Sequence, residues 1–101
     1  MKRIMVRYRV KADRADENAN YIRRVFEELK AKTPDCVRYA SFVEEDGVSF
    51  VHLASIETDD GSNPLAATDA FKAFQADIKD RCETPPQATP LMEIGSYRLL
   101  E

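Results

Sequence analysis

From residue 3 the chain alternates: Ile4, Val6, Tyr8 and Val10 fall on one side of an extended segment, and Met5, Arg7 and Arg9 on the other, the period of two that a strand imposes. The period then changes. Asp13, Asp16 and Glu17 supply negative charge where the free amides of a helix start attract it. Ala15, Ala19, Ile22, Phe26 and Leu29 follow on one helical face, which Thr33-Pro34 ends. Two β-rich runs come next, Val37 to Glu45 and Val48 to Glu57, joined by Asp46-Gly47, a pair that tolerates the positive φ angles of a tight hairpin turn. With that pair at the turn centre, Val43 faces Phe50, Ser41 faces His52 and Tyr39 faces Ala54 on one side of the sheet. Ala40, Phe42, Val51 and Leu53 take the other side.

After a polar loop, Thr58 to Asn63, Pro64 is placed for the first turn of a second helix with Ala67, Phe71, Phe74, Ile78 and Cys82 on its apolar face. Thr68-Asp69 could recap this helix after a short first turn, and Thr84-Pro85-Pro86 ends it. Leu91 to Leu100 then reads as a fourth strand, with Gly95 at a bulge or close approach. Strand, helix, strand, strand, helix, strand is the order of the α+β, ferredoxin-like βαββαβ fold, a four-stranded antiparallel sheet with both helices on one face. Met5, Ala40, Phe42, Val51, Leu53, Leu91 and Leu99 nevertheless make the other face apolar too. A patch of that size calls for a cover, and a second copy is the simplest one, so a homodimer through the sheet face is expected.

The length of 101 residues fits a single domain over residues 1–101. Fifteen basic and eighteen acidic residues leave a net charge of −3, which gives no field to attract nucleic acid or an anionic membrane surface. The strand Gly47 to Leu53 has the glycine and one aromatic of an RNA-binding strand but lacks its basic start, and Met5 stands where the first strand would need an aromatic. The start alternates where a secretory signal would be continuously apolar, and no run approaches the roughly 20 residues of a membrane helix, so a cytoplasmic protein is expected. Cys36 and Cys82 fall toward opposite ends of the expected sheet, which disfavours a disulfide. They have no metal-ligand spacing and only one histidine to join them, so no metal is expected. No Gly-rich phosphate loop or nucleophile elbow is present, and no cofactor is expected.

His52 is the one side chain whose ordinary pKa lies near neutrality, which makes it the candidate catalytic residue. With Ser41 and Tyr39 as neighbours it could take a proton from a bound phenol while Tyr39 or Tyr8 held the anion, or simply be a strand histidine bonded to Ser41. Phe71 and Phe74 could wall an aromatic pocket or pack as core. Tyr8, Tyr39, Ser41, Phe71 and Phe74 are thus the candidate ligand-pocket residues. Arg7 and Arg9 face away from Tyr8, with Glu44, Glu57 and Glu93 as available partners.

The segment Pro34-Asp35-Cys36-Val37-Arg38-Tyr39 resembles the helix-to-strand entry of the antibiotic-biosynthesis monooxygenase-like branch of the dimeric α+β barrel superfamily, and Phe71-Lys72-Ala73-Phe74 is similar to its second helix. The resemblance implies two sheets meeting face to face, with a small pocket between sheet and helices in each subunit. It implies an oxidoreductase of the cofactor-independent, monooxygenase-like kind acting on a small aromatic or quinone-like molecule, or else a non-catalytic module that binds a small hydrophobic ligand or only assembles. The tryptophan common in that branch falls at Ile56 here, and the helical histidine of its haem-degrading members at or near Gln75, so haem degradation is not expected.

Overall fold

A computed structural model describes residues 2–99. They form β1 (Lys2–Val10), a 3-10 turn (Ala12–Arg14), α1 (Ala15–Lys32), β2 (Val37–Val43), β3 (Ser49–Ile56), α2 (Asp69–Ala76), α3 (Ile78–Arg81) and β4 (Cys82–Pro90). The strands make one antiparallel sheet in the order β2-β3-β1-β4, the ferredoxin-like arrangement.

The hairpin has the expected register, with Val43 opposite Phe50, Ser41 opposite His52 and Tyr39 opposite Ala54, although its turn runs from Glu44 to Gly47 with Glu45 and Asp46, rather than Asp46 and Gly47, at the centre. Gly47 has φ +76°, and its N–H donates to the Glu44 carbonyl at 3.0 Å. The Asp46 carboxylate accepts from the Val48 and Ser49 amides at 3.0 and 2.8 Å and from the Ser49 hydroxyl at 2.6 Å. Those bonds hold the Asp46 carboxyl down at about 2. In α1, Asn18, Ile22 and Val25 are buried, so the inward face is rotated slightly from the expected one. Thr33 closes the helix in the left-handed conformation, its N–H on the Leu29 carbonyl at 2.7 Å. Residues 64 to 67 make only a turn; the Thr68 hydroxyl then caps α2, accepting from the Phe71 N–H at 3.2 Å, as the Thr68-Asp69 pair suggested.

The fourth strand corrects the sequence reading. It runs Cys82–Pro90, with Thr84-Pro85-Pro86 inside it, and Cys82 is a strand residue rather than the end of a helix face. The strand pairs only with β1, so prolines can turn their missing N–H outward. Register jumps from Arg7 opposite Gln87 to Arg9 opposite Thr84, which places one extra residue at Pro85-Pro86, a bulge where two prolines interrupt the ladder. Residues 91–99 are irregular, so Gly95 marks no strand bulge, and Leu100 lies outside the described residues. Leu91 and Leu99 still lie beside Leu53, in a groove at the end of the uncovered face, while Met92, Ile94 and Tyr97 are almost wholly exposed.

The helices cover the sheet face bearing Tyr8, Phe50, His52 and Ile56, which with Val10, Ile22, Val25, Leu65 and Phe74 are buried. On the opposite face Met5, Ala40, Val51 and Leu53 are half-buried, and Phe42 is 48% exposed. Ion pairs border that patch: Arg7 with Glu44 at 2.8 Å and Arg9 with Glu83 at 3.3 Å, and at the other end Arg3 with Glu93 at 3.4 Å and Arg38 with Glu57 at 3.3 Å. Among the described residues no helix is long and apolar enough to cross a membrane.

Candidate functional site

Alternation along β1, β2 and β3 sends Tyr8, Tyr39 and His52 to the helix side of the sheet, where their rings form a row. Phe50, Tyr8, His52, Tyr39 and Phe26 follow one another with centroids 5.6, 5.3, 5.7 and 5.2 Å apart and planes within 20° of parallel. Phe74 tilts onto Tyr8 and His52 from α2, and Phe71 meets Tyr39 edge-on at 6.4 Å, both common aromatic geometries.

This row forms one wall of a cavity of about 310 Å³ between the sheet and the segment 63–78, near the lower size of small-molecule sites. Ile4, Val6, Ala54, Ile56, Leu65 and Phe71 make its surface mostly apolar, and Lys2, Asn63 and Gln75 also contribute. Of the candidate residues, Tyr8, Tyr39, His52, Phe71 and Phe74 line it. Ser41 does not; its hydroxyl lies 2.7 Å from His52 Nδ1 and helps hold the ring. Ile56 and Gln75, where the resemblance would place a tryptophan and a histidine, both line the cavity.

His52 is 4% exposed and bonded at both nitrogens. Nε2 lies 2.7 Å from Tyr8 Oη, and Nδ1 lies 2.6 Å from Tyr39 Oη. The network continues to residues that patterning did not single out. Asn18 Nδ2 donates to Tyr8 Oη at 2.9 Å, and Arg81 Nε donates to Asn18 Oδ1 at 3.1 Å. Arg81 is fully buried. Its Nη2 donates to the Phe74 carbonyl at 2.6 Å, and its guanidinium lies 4.4 Å from the Tyr21 ring centroid. Asn18 and Arg81 do have a sequence signal: each falls on an apolar stripe of helical spacing, Asn18 between Ala15 and Ile22, Arg81 after Phe74 and Ile78.

Burial disfavours charge on each central group. It pushes Tyr39 up to about 12 and Tyr8 further above the ordinary phenol range, and it lowers His52 to about 4. The site at neutral pH is therefore an uncharged imidazole between two neutral phenols. This makes a pH prediction. The unfolded chain takes up the histidine proton near its ordinary value of 6.5 and the folded chain only near 4, so acidification through that window favours unfolding. Stability should fall by about 2 kcal/mol between about pH 7 and about pH 5. Urea unfolding across the range measures this, and His52→Gln should remove most of the slope; an unchanged slope in that variant would refute the assignment.

Both cysteine thiols are free and half-buried, and burial raises Cys82. Among the described residues no cluster of three or more His, Cys, Asp or Glu side chains could hold a metal ion.

The fold is shared with several solved structures named as antibiotic biosynthesis monooxygenases. An antibiotic biosynthesis monooxygenase superposes with a TM-score of 0.75 at 17% identity, over 94% of this chain and 100% of its own. Rv0793 from Mycobacterium tuberculosis gives 0.75 at 14%, over 94% and 96%, and a candidate antibiotic biosynthesis monooxygenase from Caulobacter crescentus gives 0.74 at 19%, over 93% and 90%. At these identities the likeness is one of fold. No family model and no curated protein matches the sequence.

Proposed function

We propose that this chain is a homodimer whose helix-to-sheet cavity binds a small, flat, mainly apolar molecule of aromatic or quinone-like type. The observation that carries the ligand reading is the apolar cavity with the Tyr8, His52 and Tyr39 ring row as its wall. The dimer reading is supported by surface area. A compact monomer of 11.5 kDa exposes about 5,800 Å², whereas this chain exposes 6857 Å². The excess of roughly 1,000 Å² is comparable to one side of a standard interface, about 800 Å².

Two chemical readings follow. Monooxygenase chemistry is favoured by the names of the structural neighbours, and run without a cofactor it would use dioxygen, one atom entering the substrate and the other leaving as water with two substrate hydrogens. Non-catalytic binding is favoured by His52 itself, since a base held near 4 and bonded at both nitrogens has little drive to take a phenolic proton. A thermal-shift screen with phenols and quinones, followed by oxygen uptake with each hit, decides between them. Hits with uptake establish the enzyme, and hits without it the binding module. Ala54→Phe, which extends a ring into the cavity, should abolish the shifts. A screen without hits, or hits that survive this substitution, would remove the cavity reading.

A further inference from the structure

We propose that buried Arg81 sets the tautomer of His52 through Asn18 and Tyr8, leaving the Tyr39 hydroxyl as a hydrogen-bond donor to a carbonyl-type oxygen on the molecule in the cavity. The ligand half of this inference rests on the cavity reading above; the tautomer half does not.

The argument follows the protons. A guanidinium has donors only, so Asn18 must present Oδ1 to Arg81 Nε, 3.1 Å away. The amide NH₂ is thereby turned toward Tyr8, whose oxygen accepts at 2.9 Å. The one hydrogen of Tyr8 goes to the remaining neighbour, His52 Nε2 at 2.7 Å, which makes that nitrogen an acceptor. A neutral imidazole then carries its hydrogen on Nδ1, between Tyr39 Oη at 2.6 Å and Ser41 Oγ at 2.7 Å. The two oxygens share the single Nδ1 hydrogen, and each hydroxyl keeps its own hydrogen. Ser41 does not reach the cavity, whereas Tyr39 lines it. Among the described residues the hydroxyl of Tyr39 meets only the protonated Nδ1 and Ser41, and Ser41 bonds it as the donor, so both contacts use the Tyr39 oxygen as acceptor and leave its hydrogen for the cavity. The cavity wall therefore offers a donor, which suits a ketone or quinone oxygen, and a hydrocarbon of the same shape leaves it unpaired.

His52 is the only histidine in the chain, so its ring nitrogens can be read directly by long-range ¹H–¹⁵N NMR of labelled protein. At alkaline pH the wild type should carry its proton on Nδ1; a proton on Nε2 would overturn the relay. Asn18→Asp keeps the shape but presents oxygens to both Arg81 and Tyr8. The Tyr8 hydrogen should turn to that carboxylate, and Nε2 should gain a proton; an Nε2 that stays bare overturns the relay as well. For the ligand half, 1-tetralone and tetralin differ by one carbonyl oxygen. Wild type should bind the ketone about ten-fold more tightly, and Tyr39→Phe should bring the two within about three-fold of each other. Equal affinities in wild type would overturn the donor role of Tyr39 while leaving the cavity reading intact. Binding of neither probe would overturn the ligand half, and if the broader screen also fails, the cavity reading; the ring spectrum decides the relay in either case.

Discussion

Arg81→Ala should destabilise the protein by about 3–4 kcal/mol, a large share of the roughly 5–15 kcal/mol that holds a domain of this size together. The side chain has no exposed surface, and besides an ion pair with Asp77 at 3.8 Å it acts in three ways. It satisfies Asn18 Oδ1, it satisfies the Phe74 carbonyl, and its guanidinium plane packs by Tyr21 and Phe74. Truncation leaves two buried acceptors without donors and a void where the fork lay, and each such defect costs about 1–3 kcal/mol. Arg81→Lys should recover less than half, because an ammonium cannot span both acceptors and stack on a ring at once. The useful contrast is Arg14, whose bonds to Glu17 and Asp77 are part-exposed and screened by solvent, so that Arg14→Ala should cost far less than Arg81→Ala. Urea unfolding of the three variants measures the series. If Arg81→Ala lies within about 1 kcal/mol of wild type, the buried network is not what secures the α3 end of the core.

The importance of Arg81 shows where sequence patterning reaches its limit. The first strand, the first helix and the hairpin were legible because each carries a period, and Asp46-Gly47 pins the register, so the convergence of Tyr39, Ser41 and His52 could be read from residue spacing. Tyr8 joined them through the alternation of β1. The fourth strand was hidden because two local signals outweighed one tertiary fact. Thr84-Pro85-Pro86 is a strong stop, and the apolar residues of 91–99 imitate a strand, whereas an edge strand with a bulge admits prolines that a central one would reject. Asn18 and Arg81 were hidden for another reason. Polar residues on an apolar stripe read as interruptions, and only the fold shows that the two stripes meet and that the interruptions satisfy each other. A site that runs through the core is legible where strand alternation carries it and illegible where it crosses from helix to helix.

The uncovered sheet face gives the other large expected effect, and it concerns assembly. In dilute solution the chain should have twice its 11.5 kDa mass, and Leu53→Asp should return it to a single chain. Leu53 lies on β3, the strand between β2 and β1, with Met5 and Ala40 as its lateral partners, so it stands at the centre of the half-buried apolar patch. The arginines around that patch are paired within the same chain, Arg7 with Glu44 and Arg9 with Glu83. They therefore offer a second copy a rim already neutralised, and the centre must supply the attraction by excluding water. A carboxylate there remains hydrated in the monomer and would be stripped of water on both sides of a two-fold interface, which should weaken association at least about a thousand-fold. Val43→Asp is the control. Val43 is 55% exposed at the end of edge strand β2 and lies on the opposite side of the hairpin, so its replacement should leave the mass unchanged. Light scattering during size exclusion, with far-ultraviolet circular dichroism to verify folding, reads both. A wild-type mass of one chain, or a folded Leu53→Asp that remains paired, would show that two sheets do not meet across this face.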